Sequence, residues 1–312
     1  MSSKSRLYKK NIQKKRDLAF FIIMVFVPTI QFILFYVFVN FNSILLAFKV
    51  YDPETNKFYF NILYNFKRFF NELSTLQSYK MMIKNSLIGF VFVTLMNIFL
   101  SINISLYMYH KGPWHKFFKI LFFVPSIISS IVMVRVFMVV VEEAYPRIVT
   151  ALFKLEEGSV LGLLSNVKTK FGTIIFYCLW SGFGSPILIY LSSMNTISES
   201  VVDSAKIDGT NFFQQTIYIT LPLIYPTIVN YLIVGISGIF LMQLDLFSFY
   251  GDAAETEIRT IGYFLYTEVL SANGITTGYP YLAAIGLVFT AICVPLTLIT
   301  RKLLTKYGPS ED

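Results

Sequence analysis

Charge is scarce in this sequence. Of its 312 residues, 14% are charged and 55% hydrophobic, whereas a soluble domain carries about 25% charged residues. A conventional solvated surface is excluded, and so is a charge-driven disordered chain. Histidine and cysteine are nearly missing, with two of each. His110 and His115 stand beside lysines with no further ligand types nearby, so they do not read as a metal centre; they read as polar residues at a membrane edge. Cys178 and Cys293 both fall in apolar segments, without metal-ligand spacing or a disulfide framework. No G-x-x-x-x-G-K-[ST] phosphate loop, nucleophile elbow or HExxH motif occurs. The chain therefore has no ATPase site of its own. A membrane-embedded enzyme would need catalytic residues clustered at one face, and none are.

What is abundant is apolar length. A helix needs about 20 mostly apolar residues to cross a bilayer, and six windows qualify, near 18–40, 86–109, 117–141, 171–193, 227–249 and 281–303. The expected fold is an all-α integral membrane protein of six spans. The first apolar stretch is far longer than the 7–15 residues of a signal h-region, so it reads as an uncleaved span. The net charge of +8 could suggest nucleic acid, but the lysines and arginines sit in runs flanking apolar stretches and act as topology signals. Lys4, Arg6, Lys9, Lys10, Lys14, Lys15 and Arg16 precede the first span. Lys111, Lys116 and Lys119 lie between the second and third, and Arg301, Lys302 and Lys306 follow the sixth. All three segments place both termini in the cytoplasm and leave 50–84, 142–170 and 250–280 outside. The loop 50–84, rich in Tyr and Phe, is expected either to touch an external protein or to cover the helix ends, the latter reading being preferred. Pro28, Pro125, Pro186 and Pro295 fall within spans and read as ordinary features of membrane helices. Asn97 and Asn103 in the second span read as interhelical hydrogen-bonding groups.

One inward segment, 194–226, breaks the basic pattern with Glu199, Asp203 and Asp208 against Lys206 alone. Ser198-Glu199 suits a helix start. Val201, Val202 and Ala205 share a face at helical spacing. Asp208-Gly209 is a turn signal, Thr210 or Asn211 can cap a second helix, and Leu221-Pro222 is expected to end it. The prediction is a helix-turn-helix at the inner membrane face, suited to docking in a groove of another protein.

These residues carry a resemblance. Asp203-Ser204-Ala205, three further residues to Gly209, and then Ile219-Thr220-Leu221-Pro222 resemble the Glu-Ala-Ala coupling loop of ABC importer permeases. Asp replaces Glu at 203 and Ser replaces Ala at 204. Asn85-Ser86-Leu87, Phe123-Val124-Pro125-Ser126, Trp180-Ser181-Gly182-Phe183-Gly184, Tyr190-Leu191-Ser192-Ser193-Met194, Ala284-Ile285-Gly286-Leu287 and Pro226 are similar to the oligosaccharide branch of that family.

The resemblance implies a permease subunit of a binding-protein-dependent sugar importer in a bacterial cytoplasmic membrane. Its implied partners are a second permease subunit, two ATPase subunits that hold ATP and Mg, and an extracytoplasmic sugar-binding protein; no cofactor belongs to this chain. It divides the sequence into 1–84, a permease core 85–305 and a tail 306–312. Asp203, Ser204, Ala205, Asp208, Gly209, Leu221 and Pro222 are the implied coupling residues. Polar groups at membrane depth are expected to line the path: Trp180, Ser181 and Ser185 in the fourth span, Asn230, Gln243 and Asp245 in the fifth, with Ser185 and Gln243 ranked first. A permease for a non-sugar solute and a secondary transporter working alone are the other readings. The latter would show an internal repeat, and none is detected.

Overall fold

The computed structural model describes residues 3–271 and 278–309. Residues 272–277 of the segment 250–280, residues 310–312 of the tail, and the side chains of Lys4, Arg6, Lys9, Lys10 and Lys15 lie outside the described residues. Helix dominates. Among the described residues five helices are long and apolar enough to cross a membrane: Arg16–Leu46, Gln77–Tyr109, Val167–Met194, Phe212–Ser237 and Tyr279–Tyr307. A sixth crossing is supplied only if the bent pair His115–Ile127 and Ser130–Phe153 counts as one span.

The all-α expectation needs one correction, because Lys49–Asp52 and Lys57–Phe60 pair as an antiparallel hairpin. Val50, Tyr51, Phe58 and Tyr59 are β-favouring residues, and the Asp52–Asn56 turn closes on Asp52. Its Oδ2 accepts from Thr55 Oγ1 at 2.7 Å and its Oδ1 from the Glu54 amide at 3.0 Å. The Thr55 bond, with the Glu54 amide, holds the Asp52 carboxyl below its usual range.

The chain forms two compact units, residues 1–69 with 274–287, and residues 70–273 with 288–312. In the first, Asn65 Nδ2 donates to the carbonyls of Ala47 and Lys49, pinning the hairpin, and the Arg68 guanidinium sits 4.1 Å from the Tyr281 ring centre. The second holds the larger core. At one end Met133, Phe137, Ile174, Tyr177, Leu246 and Phe249 pack together. At the other, Ile98, Leu106, Tyr190, Met194 and Ile224 join three helices. Asn85 and Ser86 are buried and serve the backbone: Asn85 Nδ2 donates to the carbonyls of Glu257 and Arg259, and Ser86 Oγ accepts from the Ile261 amide.

The expected spans shift in three places. The second begins at Gln77 rather than 86, because Lys80 and Lys84 spoil the apolar window but not the helix. The third is broken by 109° at Ile128-Ser129, both in extended conformation, three residues beyond Pro125. The fifth, expected at 227–249, ends at Ser237; Gly238–Asp245 form irregular backbone before a short helix, Leu246–Tyr250. Nor does Leu221-Pro222 end a helix. The run Phe212–Ser237 is unbroken because Thr216–Thr220 form a π-helical turn just before Pro222. The wider turn accommodates a residue that has no N–H and whose ring crowds the preceding turn.

Among the described residues the side chains of Asn97 and Asn103 bond within their own helix rather than across to another. Asn97 Oδ1 accepts from Ser101 Oγ, and Asn103 Nδ2 donates to the Phe99 carbonyl. Ser105, farther along the same helix, reaches across and donates to the Ile187 carbonyl at 3.0 Å.

Candidate functional site

Two places collect the sequence-predicted residues. The first is the segment after Met194. A helix runs Glu199–Ile207, with acidic Glu199 in its first turn and Lys206 in its last, both favourable to the helix dipole. Ser198 starts it without a side-chain cap; its hydroxyl bonds Ser200 instead, at 2.7 Å. The helix closes in a Schellman arrangement: the Thr210 amide donates to the Ala205 carbonyl and the Gly209 amide to the Lys206 carbonyl. This closure places Gly209 at φ +76°, a conformation glycine takes without steric cost. Asn211 then opens the next helix through a capping box with Gln214, whose amide donates to Asn211 Oδ1 at 2.9 Å while Gln214 Oε1 accepts from the Asn211 amide at 2.8 Å.

Two successive helix ends are thus satisfied within four residues, and the turn is rigid by construction. Ala205 is buried within this chain. Asp203 bonds Lys206 at 3.0 Å, but both side chains are exposed, so the pair adds little. Ser204 Oγ donates back to the Ser200 carbonyl, and Asp208 is exposed. Ile207 is 86% exposed, an apolar side chain presented at the tip. Leu221 and Pro222 lie within the long helix, where Leu221 packs on the Ile98–Tyr190 cluster.

His110 was not singled out for this segment. Its ring lies 4.6 Å from that of Phe212, and its buried Nε2 has no hydrogen-bond partner among the described residues. Burial and the nearby Lys206 ammonium both lower its pKa. The signal that could have found it is its position directly after a span, facing the segment that follows another.

The second place is a cavity of about 610 Å³. Val93 lines it from the midpoint of Gln77–Tyr109, and Ser181 from within a residue of the midpoint of Val167–Met194. The irregular stretch Gly238–Asp245 supplies Gln243 and Asp245. Backbone without helix is tolerated at membrane depth where it lines a cavity. Ser130, at the break of the bent pair, donates to Asp245 Oδ1 at 2.8 Å and lies 2.9 Å from the Ser248 hydroxyl. Phe247 and Tyr266 add aromatic faces. Of the expected path residues, Ser181, Gln243 and Asp245 meet here. Trp180 instead packs on the Phe137 cluster, and Ser185 and Asn230 are exposed outside the cavity. Ser130, Ser248 and Tyr266 were not legible, since nothing in their spacing announces a shared site. Among the described residues no group of three or more His, Cys, Asp or Glu could hold a metal.

This arrangement has known counterparts. The structure matches the crystal structure of a bacterial ABC transporter involved in the import of the acidic polysaccharide alginate, with a TM-score of 0.74 and 20% identity, covering 97% of this chain and 99% of that one. At that identity the likeness shows the fold. In sequence, the multiple sugar-binding transport system permease protein MsmF of Streptococcus mutans is 25% identical over 287 residues, covering 90% of this chain and 93% of MsmF. The arabinooligosaccharides transport system permease protein AraP of Bacillus subtilis is 26% identical over 192 residues, 61% of this chain and 60% of AraP. The profile of one family matches residues 97–307, about two thirds of the chain. With its several membrane-length helices, the chain belongs to the family of binding-protein-dependent transport system inner membrane components.

Proposed function

We propose that this chain is a permease subunit of an ATP-driven, binding-protein-dependent carbohydrate importer, with oligosaccharides as its substrate class. The carrying observation is the turn at Gly209, closed on one side and capped on the other, which joins the short helix Glu199–Ile207 to the start of the membrane-length helix Phe212–Ser237. Such a piece suits docking in a groove of an ATPase subunit. Ala205 allows close approach, Gly209 sets the angle between the helices, Asp203, Ser204 and Asp208 offer polar contacts, and exposed Ile207 supplies an apolar anchor.

The mechanism follows from the continuous helix. Closure of an ATPase pair around ATP and Mg would push on the turn. The helix Phe212–Ser237 runs without interruption from the Asn211 cap to Gly238, so displacement at one end is transmitted to the Gly238–Asp245 stretch that lines the cavity. Leu221 and Pro222 lie along this lever. In the cavity, Gln243, Ser181 and Asp245 offer hydrogen-bonding groups, and Phe247 and Tyr266 offer faces for sugar C–H surfaces; Trp180 supports the wall from behind.

In this reading the bent pair His115–Ile127 and Ser130–Phe153 counts as one crossing, for six in all. The termini and the Gly209 turn lie in the cytoplasm. Residues 1–84, 85–305 and 306–312 are the leading segment, permease core and tail. A second permease subunit, two ATPase subunits and an extracytoplasmic sugar-binding protein complete a complex in a bacterial cytoplasmic membrane. Support comes from the family and from relatives named for sugar transport. The related alginate transporter is known in complex with a pentasaccharide-bound periplasmic protein. The test is uptake of labelled oligosaccharides by proteoliposomes holding the complete importer. ATP-dependent uptake is expected; uptake restricted to a non-carbohydrate solute would refute the sugar assignment.

A further inference from the structure

Asp245 is the single charged residue among those lining the cavity. Ser181, Gln243 and Ser248 are neutral hydrogen-bonding groups, and Phe247 and Tyr266 are aromatic. Among the described residues no Lys, Arg or His forms an ion pair with the Asp245 carboxylate. What holds it is the hydroxyl of Ser130, at 2.8 Å. Its backbone is unusual: Leu244 and Asp245 are successive non-glycine residues at φ 55° and 52°, a conformation rare for such side chains and recurrent at binding sites. Leu244 is buried, so packing fixes the turn that aims Asp245. A carboxylate without a counter-ion among the described residues, in a cavity that Val93 and Ser181 line from the midpoints of membrane-length helices, marks a functional position.

We propose that Asp245 is a charge filter on the substrate, so that the cavity takes neutral or amino-bearing oligosaccharides and excludes those carrying carboxylates. The proposal rests on the carbohydrate reading above. An ionised carboxylate is an acceptor only, so it receives sugar hydroxyls or an ammonium. A uronate would set a second negative charge beside the first, and no cation among the described lining residues offsets it. The alginate importer, alike in fold, handles an acidic polysaccharide, so the fold leaves substrate charge open and the lining residues decide it.

The test uses the complete importer, purified without its binding protein, and three probes of equal length: maltotriose, a glucosamine trimer and a galacturonic acid trimer. Binding is followed by saturation-transfer NMR at low and high salt. Wild type is expected to bind the galacturonic acid trimer at least about tenfold more weakly than maltotriose, with the gap narrowing as salt screens the repulsion. Asp245→Asn is expected to bring the two within about threefold and to remove the salt-sensitive preference for the glucosamine trimer. Equal binding of all three trimers by wild type, or an unchanged order in Asp245→Asn, overturns the charge filter and leaves the carbohydrate reading standing. If Asp245→Asn does not assemble, the wild-type salt series decides, since a salt-independent exclusion overturns the proposal. No binding of any trimer refutes the carbohydrate reading and the filter with it.

Discussion

The Lys170 ammonium lies 2.6 and 2.7 Å from the two carboxylate oxygens of Glu255, although the Lys170 side chain is only 9% exposed and that of Glu255 54%. The pair ties the start of the helix Val167–Ser181 to the segment beyond Gly251. Removing Glu255 alone strands a buried cation. Glu255→Gln is therefore expected to destabilise the protein by about 2 kcal/mol, below the range for a fully buried pair because one partner is half in water. Lys170→Met with Glu255→Gln should recover most of that loss in thermal unfolding of the detergent-purified complex. A double variant as unstable as the single one would deny the pairing.

Gly209 occupies the left-handed region at the closure of a helix. An L-residue there costs about 1–2 kcal/mol, and the relaxed turn would splay the two helices. Gly209→Ala is expected to lower sugar uptake per ATP hydrolysed. Asn211→Ala, which loses the cap at about 1 kcal/mol, should do so less, and Asn211→Asp should restore it. The check is the ratio of uptake to phosphate release in proteoliposomes.

Gly235 faces Thr94, and a methyl added at Gly235 would fall inside contact distance of the Thr94 methyl carbon. Thr94 is β-branched within a helix, so it has little freedom to turn away. Gly235→Ala is expected to destabilise by about 1–3 kcal/mol, as overpacking does. Thr94→Ser removes the obstructing methyl and should rescue it. Failure of the rescue would place the obstruction elsewhere than at the Thr94 methyl, and no destabilisation by Gly235→Ala would place the two helices farther apart than described.

The His110 pKa is lowered from 6.5 by burial first and by Lys206 second. Between this lowered value and the ordinary one the unfolded chain holds more protons than the folded chain. Stability therefore rises with pH across that window and falls as pH drops below about 6.5. His110→Phe keeps a ring against Phe212 and should flatten this part of the stability–pH curve. An unchanged slope in the variant would assign the dependence elsewhere.

The sequence made the membrane character and the two-helix turn legible because both rest on local signals. Apolar length marks a span, and Asp208-Gly209 followed by Asn211 announces a closure and a cap that the structure contains. Three features were not legible. The hairpin within residues 49–60 is hidden because its β-favouring residues fall in a stretch that hydropathy marks only as lying between spans. Pro222 signals a helix end in the sequence, yet its cost is offset by a π-turn that no local rule predicts. The apolar run 227–249 hid the end of its helix at Ser237, since a cavity lining need not be polar throughout. The path residues were legible only in part for the same reason: membrane depth selected Ser181, Gln243 and Asp245, but also Ser185 and Asn230, whose facing depends on packing.

The most direct test of the central claim is ATP hydrolysis by the reconstituted importer, with both permease subunits, ATPase subunits and binding protein, across a panel of mono- and oligosaccharides. Hydrolysis stimulated by an oligosaccharide, with that stimulation reduced but basal hydrolysis kept in Gly209→Ala, is the predicted result. Stimulation by a non-carbohydrate solute alone, or full sugar stimulation in Gly209→Ala, would contradict the account.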